Sequence, residues 1–196
     1  CELPEQELLH TEWFHTDCLC NYYGFEAFSE EYWTCVEHYI MAAVSHGINM
    51  ILTPLFTPPL DTEVGGERRT VQLIDVEIRE DGYHFAFDRL KRWIELCDRC
   101  GVKYFEFSHL FTQWGAEHAP KIIAIRNGKS ERLFGWETDA AGKEYLAFLD
   151  AFLPALRRFV ETQGIQGRVY FHVSDEPNER QEDSYSKAAA VIQKHL

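Results

Sequence analysis

No apolar run in this chain approaches the roughly 20 residues of a membrane-spanning helix, so no membrane partner is expected. Positive charge is also scarce. Nineteen Lys and Arg stand against 32 Asp and Glu, a net charge of −13. That balance repels phosphate backbones and anionic lipid, so a nucleic-acid partner is not expected either. Compact metal motifs are missing: there is no His-x-His and no His-Glu-x-x-His. The one Cys-x-x-Cys, at Cys97 and Cys100, has no second pair. With Cys1, Cys18, Cys20 and Cys35 these read as reduced thiols, which leans toward the cytosol, and neither a cofactor nor a metal is expected. Repeats, low-complexity segments and linkers are lacking too, so residues 1–196 read as one domain. What is present is core-forming material: 45% of residues are hydrophobic and 14% aromatic.

Patterning predicts strands at 9–17, 48–53, 102–109 and 168–174. Helices are expected after each. One is capped by Ser29 and stopped by Gly47, and the next runs from Asp88 to Gly101. A long one covers about 139–163 with Pro154 inside it, and a last one covers about 182–196. Hairpins turning at Asp81-Gly82 and Asn127-Gly128 fall after the second and third strands. Strand–helix alternation four times over means βα units and a parallel sheet.

Strand parity puts His15, Asp17, Asn49, Thr53, Glu106, Ser108, His172, Ser174 and Glu176 on one face, opposite an apolar face. A doubly wound sheet should be apolar on both faces, whereas a barrel lumen becomes polar at its catalytic mouth. The expected fold class is therefore α/β: a partial (β/α)8 TIM barrel of about four βα units, with β-hairpin insertions after strands 2 and 3. A full barrel takes about 250 residues. The chain is thus expected to be the N-terminal half of a barrel and a piece of a longer protein, partnered by the remaining half or by self-association.

The stretch Arg168 to Pro177 runs a strand into adjacent acids, Asp175 and Glu176. The plain alternative is that they cap the next helix at its positive end. The chemical reading is a proton donor beside a fixed negative charge, as glycoside cleavage requires. Adjacent acids suit a mechanism in which the substrate's 2-acetamido group attacks the anomeric carbon. Trp13, Trp114, Trp136, Tyr22, Tyr23 and Phe111 fall near strand ends, where rings can stack on sugars or simply pack. Trp114, flanked by Gln113 and Gly115, is the best placed for stacking. The candidate substrate-binding residues are His15, Asp17, Thr53, Glu106, His109, Gln113, Trp114 and His172. A metal held by His15, Asp17, Glu106 and His109, as in sugar isomerases, and satisfied core histidines are the alternatives. A non-catalytic carbohydrate-binding protein is a further reading.

Four stretches carry a resemblance: 13–17 (Trp-Phe-His-Thr-Asp), 53–61 (Thr-Pro-Leu-Phe-Thr-Pro-Pro-Leu-Asp), 108–115 (Ser-His-Leu-Phe-Thr-Gln-Trp-Gly) and 172–177 (His-Val-Ser-Asp-Glu-Pro). Together they resemble bacterial proteins related to glycoside hydrolase family 123. The resemblance implies a barrel domain within a larger protein carrying β-sandwich domains. It also implies action on β-linked N-acetylgalactosamine, with retention through acetamido participation. By that likeness Asp175 would position the acetamide and Glu176 would be the acid/base.

Overall fold

The computed structural model describes residues 6–60 and 62–195. Cys1, Asp61 and Leu196, which figure in the sequence reading, lie outside the described residues. In chain order the elements are β1 (Thr11–Glu12), α1 (Asp17–Tyr23), α2 (Glu30–Ser45), β2 (Met50–Thr53) and the hairpin β3 (Asp75–Arg79) with β4 (Gly82–Ala86). There follow α3 (Asp88–Cys100), β5 (Tyr104–Phe107), the hairpin β6 (Ile122–Arg126) with β7 (Lys129–Phe134), α4 (Lys143–Gln163), β8 (Val169–Phe171) and α5 (Glu182–His195).

The alternating pattern builds one parallel sheet in the order β1-β2-β5-β8. The helix boundaries follow from local chemistry. Ser29 accepts the Tyr32 N–H at 3.2 Å and opens α2. Gly101, at φ +93°, closes α3 in the left-handed region that a side chain avoids. α4 continues through Pro154, which stands inside the helix as the sequence pattern places it.

The two hairpins are not separate decorations. β3 pairs with β6 in parallel, and the hairpins merge into a second four-stranded sheet, β4-β3-β6-β7. Its Asn127-Gly128 turn has both residues at positive φ, as a two-residue primed turn requires. Arg79 pairs with Gly82, so the other turn is Glu80-Asp81, one residue earlier than expected. α4 lies against this second sheet, where Phe148 and Phe152 meet Phe56 and Phe85 at centroid distances of 4.9–5.7 Å. Phe56, Phe148 and Phe152, with Trp93, Tyr32 and Tyr145, are fully buried at the centre of the core, and Phe85 packs against them partly covered.

The architecture is thus mixed α/β, with two sheets and five α-helices among the described residues. No helix is long and apolar enough to cross a membrane among the residues described.

Three sequence expectations need correction. The first strand is two residues long, not nine, because Asp17 begins α1 and Gly24 ends it. The last is three residues long, because a turn of 3-10 helix at Gln166–Arg168 precedes it and irregular chain follows Phe171. Third, the polar face does not run through all four strands. The register aligns Leu52 with Glu106 and Thr53 with Phe107, so Met50 and Leu52 share the Glu106 face. Thr53 lies on the opposite, helix-covered face and accepts the Trp93 indole N–H at 3.2 Å. Asn49 is occupied with main chain, accepting from His10 N at 2.8 Å and donating to Leu8 O at 2.9 Å.

Candidate active site

The loops that leave the C-terminal ends of β5 and β8 are knit together. Ser174 donates its hydroxyl to Thr112 O at 2.8 Å, and Trp114 N–H donates to Asp175 O at 2.9 Å. Gln181 donates its side-chain amide to Trp114 O. Trp114, Gly115 and Ala116 all have positive φ, and so does Glu176. Each non-glycine residue there costs roughly 1–2 kcal/mol of backbone strain, so the surrounding bonds must hold the conformation. Gly115 has φ +113°, a conformation that side chains rarely adopt, and a Cβ there would come within 2.7 Å of the Gln181 side chain, which would have to move.

This strained crossing places the acids. Asp175 is half-buried and Glu176 exposed. Strand parity does not aim Glu176, because β8 has already ended; its left-handed backbone does. The Trp114 indole N–H donates to Glu176 Oε2 at 3.4 Å, and the Trp114 ring stays 42% exposed. A carboxylate and a flat, solvent-facing ring thus stand side by side. Gln113, next along, is buried and donates to Thr62 O at 3.3 Å.

A second constellation forms on the sheet face that carries Glu106. Glu106 is buried and accepts from the Thr11 hydroxyl at 2.6 Å and from the Trp13 indole at 3.2 Å. His172 Nδ1 lies 3.4 Å from Glu106 Oε1. Burial pushes the Glu106 carboxyl up, but hydrogen bonds from His172, Thr11 and Trp13 outweigh it and hold it below its usual range. His109 is 1% exposed, and both its ring nitrogens are buried without a hydrogen-bond partner. Burial first, then the neighbouring His172, push it down to about 3 against the pull of Glu106, so its ring is neutral at pH 7. The rings of His109 and His172 meet at 4.4 Å, tilted by 46°, and Trp13 meets His109 edge-on at 5.6 Å. One ligand atom from each of Glu106, His109 and His172 lies within 4.8 Å of the others.

The structure brings Asp175, Glu176 and Trp114 together, and separately Glu106, His109 and His172. It takes Asp17 elsewhere, because that residue opens α1 instead of extending β1. There it is buried against Arg68, whose Nε and Nη2 both lie 3.1 Å from the carboxylate. His15 sits in the turn before α1, and Thr53 is fully buried. Phe111 is core, and the Trp136 indole donates to Gly66 O at 3.1 Å, under the second sheet's loops. Thr11 and Arg68 were missed. Parity pairs Thr11 with the Trp13 face and was available as a signal; nothing local announces that Arg68 reaches Asp17.

A parallel sheet with paired acids on the loops beyond its C-terminal edge is the layout of α/β domains that act on small molecules there. A family model described as "Glycoside hydrolase 123, catalytic domain" matches residues 13–196, and the chain belongs to that family. Among solved structures it is similar to a family 123 glycoside hydrolase from Clostridium perfringens, studied for glycolipid glycan hydrolysis. The TM-score is 0.68 at 13% identity, over 96% of this chain and 33% of that one. At that identity the likeness is one of fold, and this chain spans about a third of that protein's length. Comparison with curated proteins gave no match.

Proposed function

We propose that this domain supplies the catalytic acids of a glycoside hydrolase that releases terminal β-linked N-acetylhexosamine, N-acetylgalactosamine above all, with retention of configuration. The observation that carries the reading is the pairing of Asp175 and Glu176 at the loop crossing, with Trp114 bonded to Glu176. Family membership supports the reaction class.

In this mechanism Glu176 gives its proton to the glycosidic oxygen as the bond to the leaving group breaks. The substrate's acetamido oxygen attacks the anomeric carbon from the opposite face and forms a cyclic oxazolinium. Asp175 accepts the acetamide N–H, orients the group and offsets the positive charge. Glu176, now a carboxylate, takes a proton from water as the water opens the ring, which restores the acid and retains the configuration. Trp114 offers its face to the apolar side of the pyranose, while its indole N–H fixes the carboxyl that does the proton transfer. Gln113, next along the chain from Trp114, is proposed to meet a sugar hydroxyl, and His172 to face the substrate side only through the separate Glu106 cluster. His15, Asp17, Thr53, Glu106 and His109 then act by supporting the walls.

We also propose that the parallel sheet is the first half of a barrel that continues past β8. Among the described residues β8 pairs only with β5, and its Tyr170 is 41% exposed. Such an edge suits further strands from the same protein or from a second copy.

The test is hydrolysis of an aryl β-N-acetylgalactosaminide by the longest product of the parent gene. Asp175→Asn is expected to lower kcat by 100-fold or more and to weaken an oxazoline-mimicking inhibitor. Undiminished binding of that inhibitor would remove acetamido participation. Saccharide binding that survives loss of both acids, with no hydrolysis by the wild type, would indicate a binding module instead.

A further inference from the structure

We infer that Glu106, His109 and His172 form a binding site for one divalent transition-metal cation, which fastens the open end of the parallel sheet. Three observations carry this. First, the donor set is one carboxylate and two imidazoles, gathered within 4.8 Å. That mixture suits Zn2+, Co2+ or Ni2+ and is poor for Mg2+ or Ca2+, which prefer all-oxygen shells. Second, His109 is 1% exposed, and neither ring nitrogen meets a hydrogen-bond partner. A neutral imidazole normally uses one nitrogen as donor and the other as acceptor, so a buried ring using neither is unusual unless something else engages it. A sugar hydroxyl could not reach a ring so enclosed, whereas a bare ion is small enough to be held by one nitrogen from each of the two histidines, whose rings lie 4.4 Å apart and tilted by 46°. Third, the carboxylate is already oriented from behind. Thr11 and Trp13 donate to Glu106 at 2.6 and 3.2 Å, as outer partners orient metal-bound carboxylates.

The placement gives the ion a role. Glu106 lies on β5, His109 two residues beyond it, and His172 directly after β8, while Thr11 brings β1 to the same carboxylate. A cation here ties the outermost strands at both edges of the sheet to β5. His172 is half-exposed and its Nδ1 stands 3.4 Å from Glu106, so it can swing to close on an incoming ion. The site shares no residue with the Asp175–Glu176 pair, and its test uses no substrate. It can therefore fail while the glycosidase reading stands, and the reverse.

The experiment is calorimetric titration of chelator-treated protein with Zn2+, together with a thermal melt. One equivalent is expected to bind at micromolar Kd or tighter. The Tm should rise by about 5 °C at a hundredfold excess over Kd, while Mg2+ and Ca2+ leave it unchanged. Co2+ should give visible absorption bands of nitrogen and oxygen coordination. His172→Gln, at a half-exposed position, should weaken Zn2+ at least tenfold and abolish the Tm rise. His109→Gln should do the same, and if it unfolds, His172→Gln decides alone. No stoichiometric binding, or binding and Tm rise undiminished in His172→Gln, would overturn the site.

Discussion

At the scale of single residues, His109 makes the sharpest prediction. An unfolded histidine titrates near 6.5, whereas His109 in the fold is pushed down to about 3. Between those values the unfolded chain binds the extra proton. Stability from this residue is therefore complete above pH 6.5 and falls as pH drops, by up to about 1.4 kcal/mol per unit. Urea unfolding of metal-free protein at pH 7 and pH 5 should show the loss, and His109→Gln should flatten it. An unchanged slope in the variant would mean that His109 is not the group responsible. Glu106→Gln should destabilise by roughly 1–3 kcal/mol in the same assay, because donors from Thr11, Trp13 and His172 converge on a carboxylate. Parity alone marked Glu106 and His172 as sharing a face, and they do. It failed for Thr53 and Asn49, whose polar atoms serve the Trp93 indole and the main chain of residues 8–10. A polar side chain in a strand pattern says that it needs a partner, not on which side the partner lies.

At the scale of elements, boundaries set by glycine and serine were legible, because they are fixed within a few residues of chain. α2 and α3 begin and end close to where their caps predict, and the Asn127-Gly128 turn falls where expected. α1 was missed because Asp17 continues an alternating pattern and only the Gly24 stop contradicts it. The pairing of β3 with β6 was invisible, since it joins segments about 48 residues apart through two registered pairs, Glu77 with Ile125 and Ile78 with Arg126. The element that positions the acids is the left-handed run at 114–116, and here a prediction is direct. Gly115→Ala should displace Gln181, since the new methyl would lie 2.7 Å from it. A stability loss of about 1–3 kcal/mol is expected, with a fall in kcat larger than any change in KM. Wild-type kcat in that variant would show that the crossing does not set the acid geometry.

At the scale of the whole molecule, the βα order was readable because it depends on counting elements. The second sheet was not readable, because it depends on which hairpin edges meet. The half-barrel reading rests on an edge: β8 offers Tyr170 to solvent, and Phe171 and Val173 are only partly covered. The isolated domain should therefore self-associate at micromolar concentration in sedimentation, and Tyr170→Lys should shift it toward monomer. A monomer at every concentration would argue that nothing further is needed on that side.

The central claim is that Glu176 is the proton carrier, aimed by its left-handed backbone and by Trp114. The measurement is kcat/KM of Glu176→Gln, in the longest product of the parent gene, against a β-N-acetylgalactosaminide with a poor leaving group. The account predicts a fall of at least a thousandfold, with fold and Tm retained, and a much smaller loss for a leaving group that needs no protonation. Hydrolysis of both substrates at wild-type rate would contradict it.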